Sequence, residues 1–207
     1  MTKLLACYAT DTMADWEFAY LTTLVARAQQ AKRGTCEIQF VGDRVEDVHT
    51  LGGLNLKPDV DLDELDLNQL SVLVIPGGDT YGSGHEPLLE IVRECERQGV
   101  PVAAICGGTL ALARAGVLDH RKHTSNAAEF LVGTGYLGAD NYSDAPTVSD
   151  RGVITASGIY PVQFTAAVLR EIDLLSNVLI DSWEKLYLGD PEAFQEFMEA
   201  LGAWQNA

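Results

Sequence analysis

Apolar residues fall along this chain in two alternating rhythms. Lys3 to Ala9, Cys36 to Val41, Val72 to Ile75 and Val102 to Ile105 are short, nearly unbroken apolar runs. Runs of that length that are apolar at every position read as strands buried on both faces. Between them the apolar positions recur at helical spacing. Trp16, Phe18, Leu21, Leu24, Val25 and Ala28 follow Asp15, placed to cap the first free amides, and Gly34 closes the segment. Pro87 to Gln98 has the same period and stops at Gly99; Gly107 to Ala115 stops at Gly116; Gln163 to Leu175 reads as a long helix. From Asn177 onward two amphipathic stretches are broken at Gly189-Asp190-Pro191.

Two stretches break this rhythm. Val48 to Leu56 alternates around Gly52-Gly53, and Thr147–Ser149 with Val153–Ala156 flanks Asp150-Arg151-Gly152, so both predict hairpins. The acidic segment Pro58 to Leu70 predicts a short helix plus loop, with Asp61 or Asp63 as its cap. Strands alternating with helices predict an α/β fold, a mostly parallel sheet covered on both faces. No linker or repeat interrupts it, so residues 1–207 are expected to form a single domain, with the C-terminal helices (about 177–204) packed on it.

Composition narrows the partners. Hydrophobic residues make up 47% of the 207 and charged residues 21%, enough apolar material for a large core. Fourteen Lys and Arg face 30 Asp and Glu, a net charge of −16. That surplus repels phosphate backbones and anionic headgroups, which argues against nucleic-acid and membrane partners. The longest apolar runs, such as Ser71–Ile75 and Val100–Ile105, fall far short of the ~20 residues of a membrane helix. The opening apolar stretch is too brief for a signal peptide, so a cytoplasmic location is expected. Cys7, Cys36, Cys95 and Cys106 share no close spacing and should be free thiols. Asp59, Asp61 and Asp63 superficially resemble a calcium loop, but Glu64 and Leu70 stand where it needs glycine and glutamate. Neither a metal nor a cofactor is expected.

One segment has the shape of a reactive site. Val102-Ala103-Ala104-Ile105-Cys106-Gly107-Gly108-Thr109-Leu110 runs a buried strand into a cysteine, then two glycines, then a small-residue helix. This is the strand–nucleophile–helix turn of elbow-type active sites, with sulfur in place of hydroxyl. A helix N-terminus there should lower the thiol pKa, and the Gly107 amide is placed to donate to an oxyanion. Pro76-Gly77-Gly78 ends another strand. If the two strands are neighbours, a Gly77 or Gly78 amide faces the sulfur. Glu17, in the first turn of the first helix, reaches the same sheet edge. Beside a thiolate its carboxyl would be raised in pKa and protonated, a hydrogen-bond donor to sulfur. His85 lies in a glycine-flanked loop, Gly82-Ser83-Gly84-His85, able to close on a ligand. Surface or capping roles suit His49, His120 and His123 better. Taken singly, each of these has an ordinary structural explanation: a buried cysteine, a strand-ending turn, an acid favoured by the helix dipole.

Together they carry a resemblance. The chain resembles the ThiJ/PfpI family, within the class I glutamine amidotransferase-like superfamily, and Ala-Ile-Cys-Gly-Gly is the most specific part. The likeness also covers strand one to Glu17, Val72 to Gly78, and Val153 to Gly158 leading into a helix through Phe164. It implies a flavodoxin-like three-layer sandwich, a homodimer, Cys106 as reactive thiol, Glu17 as its carboxyl partner, and Gly78 and Gly107 as anion donors. Two positions depart from the family. Peptidase-like members carry histidine directly after the cysteine, where this chain has Gly107. Others carry one about twenty residues on, where His123-Thr124-Ser125-Asn126 puts Asn126. A Cys–His hydrolytic pair is therefore doubtful.

The leading expectation is a cysteine-dependent enzyme acting on small carbonyl or amide-type molecules: a hydrolase, hydratase or glyoxalase-like catalyst. The alternative is a non-enzymatic redox-sensing or stress protein that uses an oxidisable Cys106. A pocket that binds without chemistry is a third. Glutamine amidotransferase and peptidase activities fit least. The aromatics of the C-terminal stretch, Trp183 to Trp204, are expected to pack on the domain or to form a dimer contact.

Overall fold

The computed structural model describes residues 2–207. Its centre is a seven-stranded sheet built from β1 (Lys3–Tyr8), β2 (Cys36–Gly42), β5 (Val60–Asp61), β6 (Leu70–Ile75), β7 (Val102–Ile105), β8 (Thr147–Asp150) and β9 (Val153–Ala156). The strand order is β5-β2-β1-β6-β7-β9-β8. All neighbours pair in parallel except β8, which turns back on β9 through the expected hairpin. The other hairpin, β3 (Val48–His49) with β4 (Asn55–Leu56), stands apart as a two-stranded ribbon.

The unbroken apolar strands have the two-sided burial that their composition predicts. Leu73, Ile75 and Ala104 pack on one face against Leu88 and Val92 of α2 (Glu86–Gln98) and Leu112 of α3 (Gly108–Ala115). Val72, Val74, Ala103 and Ile105 pack on the other. They meet Leu21 and Val25 of α1 (Asp15–Ala31) and Phe164 and Val168 of α5 (Pro161–Glu171). The result is the three-layer flavodoxin-like sandwich. A short α4 (Ala128–Val132), absent from the sequence reading, lies beside α3. The C-terminal pair, α6 (Asn177–Tyr187) and α7 (Ala193–Asn206), joins the α1–α5 layer, with Leu179, Ile180, Trp183 and Ala200 in the same core.

Three local expectations are corrected. Asp15 is the first residue of α1, not its cap. The cap position is Ala14, and the Asp15 carboxylate accepts from Thr50 Oγ1 at 2.6 Å and the Gly52 amide at 2.7 Å, tying the ribbon to the helix start. Pro58–Leu70 holds no α-helix. It gives the edge strand β5 and a single 3₁₀ turn at Leu62–Glu64, and Asp61 caps nothing with its side chain. Helix α5 ends at Glu171 rather than Leu175, because the chain turns at Asp173, whose φ is 48°.

Candidate active site

Strands β6 and β7 are neighbours, so Pro76-Gly77-Gly78 and Cys106 leave the sheet side by side at its carboxyl edge. Cys106 sits at φ 55°, a left-handed conformation that a non-glycine residue adopts only when its surroundings enforce it. They do so here through backbone anchors on both sides. The Cys106 amide donates to the Ala156 carbonyl at 3.0 Å, and Thr109 Oγ1 donates back to the Cys106 carbonyl at 2.6 Å. The Thr109 hydroxyl also lies 2.7 Å from Ser125 Oγ, which fastens the elbow to the following loop.

The two glycines after the cysteine are there for space. A Cβ on Gly107 would overlap the Gly78 carbonyl, and one on Gly108 would overlap the Ile75 carbonyl. The elbow is thus pressed against the Pro76-Gly77-Gly78 turn. In this backbone a histidine at position 107 would meet the same overlap.

Glu17 reaches the sulfur from the first turn of α1. It is only 1% exposed. Its Oε2 accepts the Gly77 amide at 2.5 Å, and its Oε1 has no hydrogen-bond partner among the described residues. A Cβ on Gly158, just beyond β9, would lie 2.8 Å from Cys106 Sγ and 2.9 Å from Glu17 Oε1, which places the free oxygen on the cysteine side. Burial raises the Glu17 pKa to about 7, against the partial relief that the Gly77 amide and Cys106 provide. Burial rather than a neighbouring thiolate is the main cause of this rise, and at about 7 the carboxyl is divided between its neutral and charged forms near neutral pH. The Gly77 amide, expected as an oxyanion donor, is instead committed to Glu17.

Asn126 occupies a position that bears on the chemistry directly. Its Nδ2 donates to Cys106 Sγ at 3.2 Å. Its Oδ1 accepts the Gly158 amide at 2.9 Å and the Ser157 hydroxyl at 3.4 Å, which fixes the amide so that the nitrogen faces sulfur. Trp16 Nε1 donates to the Gly158 carbonyl at 3.2 Å, so an exposed indole stands at the rim. The cysteine and carboxyl therefore lie in a slot whose walls are Gly77 and Gly158. Gly158 escaped the residue-by-residue reading. Its signal was position, a glycine just past the strand next to β7, the same logic that singled out Gly77.

The thiol does not behave as the helix N-terminus alone predicts. Burial, with Glu17 beside it, pushes the Cys106 pKa up, and the Asn126 amide and Gly107 N–H pull it down. The net shift is upward, which corrects the expected low-pKa thiol. The Gly107 amide lies by the sulfur, and the Gly78 amide lies beside Gly107.

The histidines lie elsewhere. His85 is bonded through Nδ1 to the Tyr8 hydroxyl at 2.7 Å and through Nε2 to Thr80 Oγ1 at 3.0 Å, and it stacks on Tyr81. None of its hydrogen bonds reaches Cys106. It helps to brace the turn instead, since Tyr81 Oη donates to the Pro76 carbonyl at 2.9 Å. His123 is buried, with its ring bonded to the Arg121 carbonyl and the Tyr136 hydroxyl. Cys7, Cys36 and Cys95 are buried free thiols whose pKa values burial raises, Cys36 to about 11 and Cys95 to about 12.

A cysteine held in left-handed backbone at the carboxyl edge of a parallel sheet, with a buried carboxyl beside it, defines the elbow-thiol class of α/β proteins. The chain belongs to the DJ-1/PfpI family, which matches residues 2–171, and hence to the class I glutamine amidotransferase-like superfamily. It is 38% identical over 206 residues, 97% of this chain and 98% of the other, to the uncharacterized protease YoaZ of Bacillus subtilis. The thiJ/pfpI family protein from Bacillus anthracis, a solved structure, superposes with a TM-score of 0.89 at 38% identity, covering 97% of each chain. A shorter match, 40% over 75 residues, covers 35% of this chain and 45% of deglycase PfpI from Pyrococcus furiosus.

Proposed function

We propose that this protein is a cysteine-dependent enzyme acting on small reactive carbonyl compounds, with Cys106 as nucleophile and Glu17 as proton carrier. The observation that carries this reading is the pairing of Cys106 with a buried carboxyl whose pKa lies near 7, so that it can give and take a proton at neutral pH. The Cys106 S–H adds across an aldehyde: a C–S bond forms and the thiol proton passes to the carbonyl oxygen. The Gly78 and Gly107 amides stabilise the negative charge that develops there. With an α-oxoaldehyde, Glu17 as carboxylate takes the carbon-bound proton and returns it to the neighbouring carbon, while the hydroxyl proton of the hemithioacetal passes to the oxygen on that neighbouring carbon. The resulting thioester is cleaved by water to a 2-hydroxy acid, which regenerates the thiol. The deglycase name of one relative is compatible with carbonyl chemistry. Peptide hydrolysis fits less well, because no histidine contacts Cys106. The slot between Gly77 and Gly158 also favours small substrates.

We propose further that residues 1–207 act as one domain, in the cytoplasm and as a homodimer. Glyoxal serves as the test substrate, with glycolate formation followed by NMR. The parent should turn it over and Cys106→Ser should not; turnover retained in the serine variant, or absent from the parent, overturns the reading.

A second reading rests on a different observation. Among the described residues Cys106 is the one free thiol that is not buried. Two equivalents of hydrogen peroxide would each transfer an oxygen to its sulfur and leave as water, giving a sulfinic acid that Glu17 can hydrogen-bond. Intact mass after mild peroxide should then show two added oxygens on Cys106 alone, and oxidation spread over other residues would sink this alternative.

A further inference from the structure

A second concave feature lies away from Cys106, between α1 and the α6–α7 pair. It is a groove of about 930 Å³, within the ~300–1,000 Å³ of small-molecule sites. Tyr20 and Leu24 of α1 line it together with Trp183, Phe197, Leu201 and Trp204, and Tyr20 packs edge-on against Trp183. Apolar and aromatic side chains line most of it, and Phe194 and Met198 are exposed along its edge.

Its rim carries charge of the rarer sign. Arg27 lines the groove, and Lys32 and Arg33 follow at the end of α1. None of the three makes an ion pair among the described residues, although half of the chain's lysines and arginines do. Lys32 Nζ instead sits 4.6 Å from the centre of the Trp204 ring, which draws the cation to the groove mouth. The carboxylates on the facing helix are engaged: Glu196 pairs with Lys185 across α6 and α7, and Glu199 accepts from Gln195. In a molecule of charge −16, an apolar recess edged by unpaired cations is complementary to one ligand chemistry, a hydrocarbon body with a single anionic end. A second copy of the chain fits it less well, because a two-fold contact brings the same patch, cations included, onto itself.

We propose that this groove binds a free single-chain aliphatic carboxylate, with its hydrocarbon along Leu24, Leu201 and Trp204 and its head on Arg27 and Lys32. The site is independent of the chemistry assigned to Cys106. Octanoate, decanoate and decanol, each below its micelle-forming concentration, are titrated into the full-length protein, with binding read by calorimetry and by tryptophan fluorescence. Decanoate should saturate at one per chain. It should bind about fifteenfold more tightly than octanoate, because each buried methylene contributes roughly fourfold. Arg27→Gln should weaken decanoate at least fivefold and leave decanol unchanged, and Cys106→Ser should bind decanoate as the parent does. Leu201→Arg, checked for folding by circular dichroism, should bind neither.

Absence of saturable decanoate binding overturns the proposal. So does equal loss of decanol in Arg27→Gln, which would make the arginine structural. A concentration-dependent dimer that Met198→Arg splits, with no decanoate binding, would assign the groove to a second copy. Capture by anionic vesicles without binding of free decanoate would assign it to a membrane surface.

Discussion

Glu17 ionises near pH 4.5 in an unfolded chain but near 7 in the folded protein, because its buried carboxyl keeps only one amide donor. Between those values the native state holds a proton that the unfolded state has lost. Stability therefore falls as pH rises through this window, by about 3 kcal/mol in all from this group. Glu17→Gln removes the titration. Urea unfolding should show the variant gaining on the parent as pH goes from 4 to 8, by up to that amount; a constant difference would refute the buried-acid account. The same carboxyl bears on the sulfur, since its charge raises the Cys106 pKa while the Asn126 amide lowers it. Iodoacetamide labelling should follow a midpoint above the ordinary thiol value of ~8.5. That midpoint should move down in Glu17→Gln and up in Asn126→Ala, read by mass spectrometry of the modified peptide. Gly158 tests the slot by volume. Its alanine variant brings a methyl within 2.8 Å of the sulfur, so labelling and any turnover should fall at least tenfold at a stability cost of about 1–3 kcal/mol.

Elements show where local pattern is sufficient information and where it is not. Strands buried on both faces and helices with a clear apolar stripe were legible, as were both hairpins, because each has a periodicity of its own. Residues 58–70 misled. Leu62, Leu65, Leu67 and Leu70 are spaced closely enough to suggest a helix, and all four reach the core. Leu62 does so from a 3₁₀ turn, Leu65 and Leu67 from the irregular segment after it and Leu70 from the start of β6, while the free edge of β2 offers Val60 and Asp61 a partner that no local pattern reveals. Asp15 shows the same limit: its carboxylate found Thr50 and Gly52, 35 and 37 residues away, instead of the helix amides. Helix α6 gives a cleaner test, since Ser176 Oγ accepts from the Leu179 amide in a regular N-cap. Ser176→Ala should cost about 1 kcal/mol in urea unfolding, and no loss would mean that packing against α5 alone fixes this end.

At the scale of the molecule, the carboxyl edge of a parallel sheet explains how much of the site could be read early. Cys106, Glu17 and Gly77 each follow a strand, and neighbouring strands bring their ends together. Hydrogen-bond partners were not legible, because they depend on distances of tenths of an ångström between loops. Hence the Gly77 amide serves Glu17 rather than an oxyanion, and His85, in its glycine-flanked loop, bonds Tyr8 and stacks on Tyr81.

Glu17, Gly77, Cys106, Asn126 and Gly158 come from five separate stretches of chain, and each depends on a different part of the sheet or its loops. During synthesis or refolding the slot cannot close until β9 has docked beside β7 and delivered its glycine. Every thiol in a partly assembled chain is open to alkylation, whereas in the finished one three are shut away and the fourth is partly shielded. Pulsed thiol labelling during refolding would therefore work as a clock, with Cys106 acquiring its native rate only when the last of the five segments arrives.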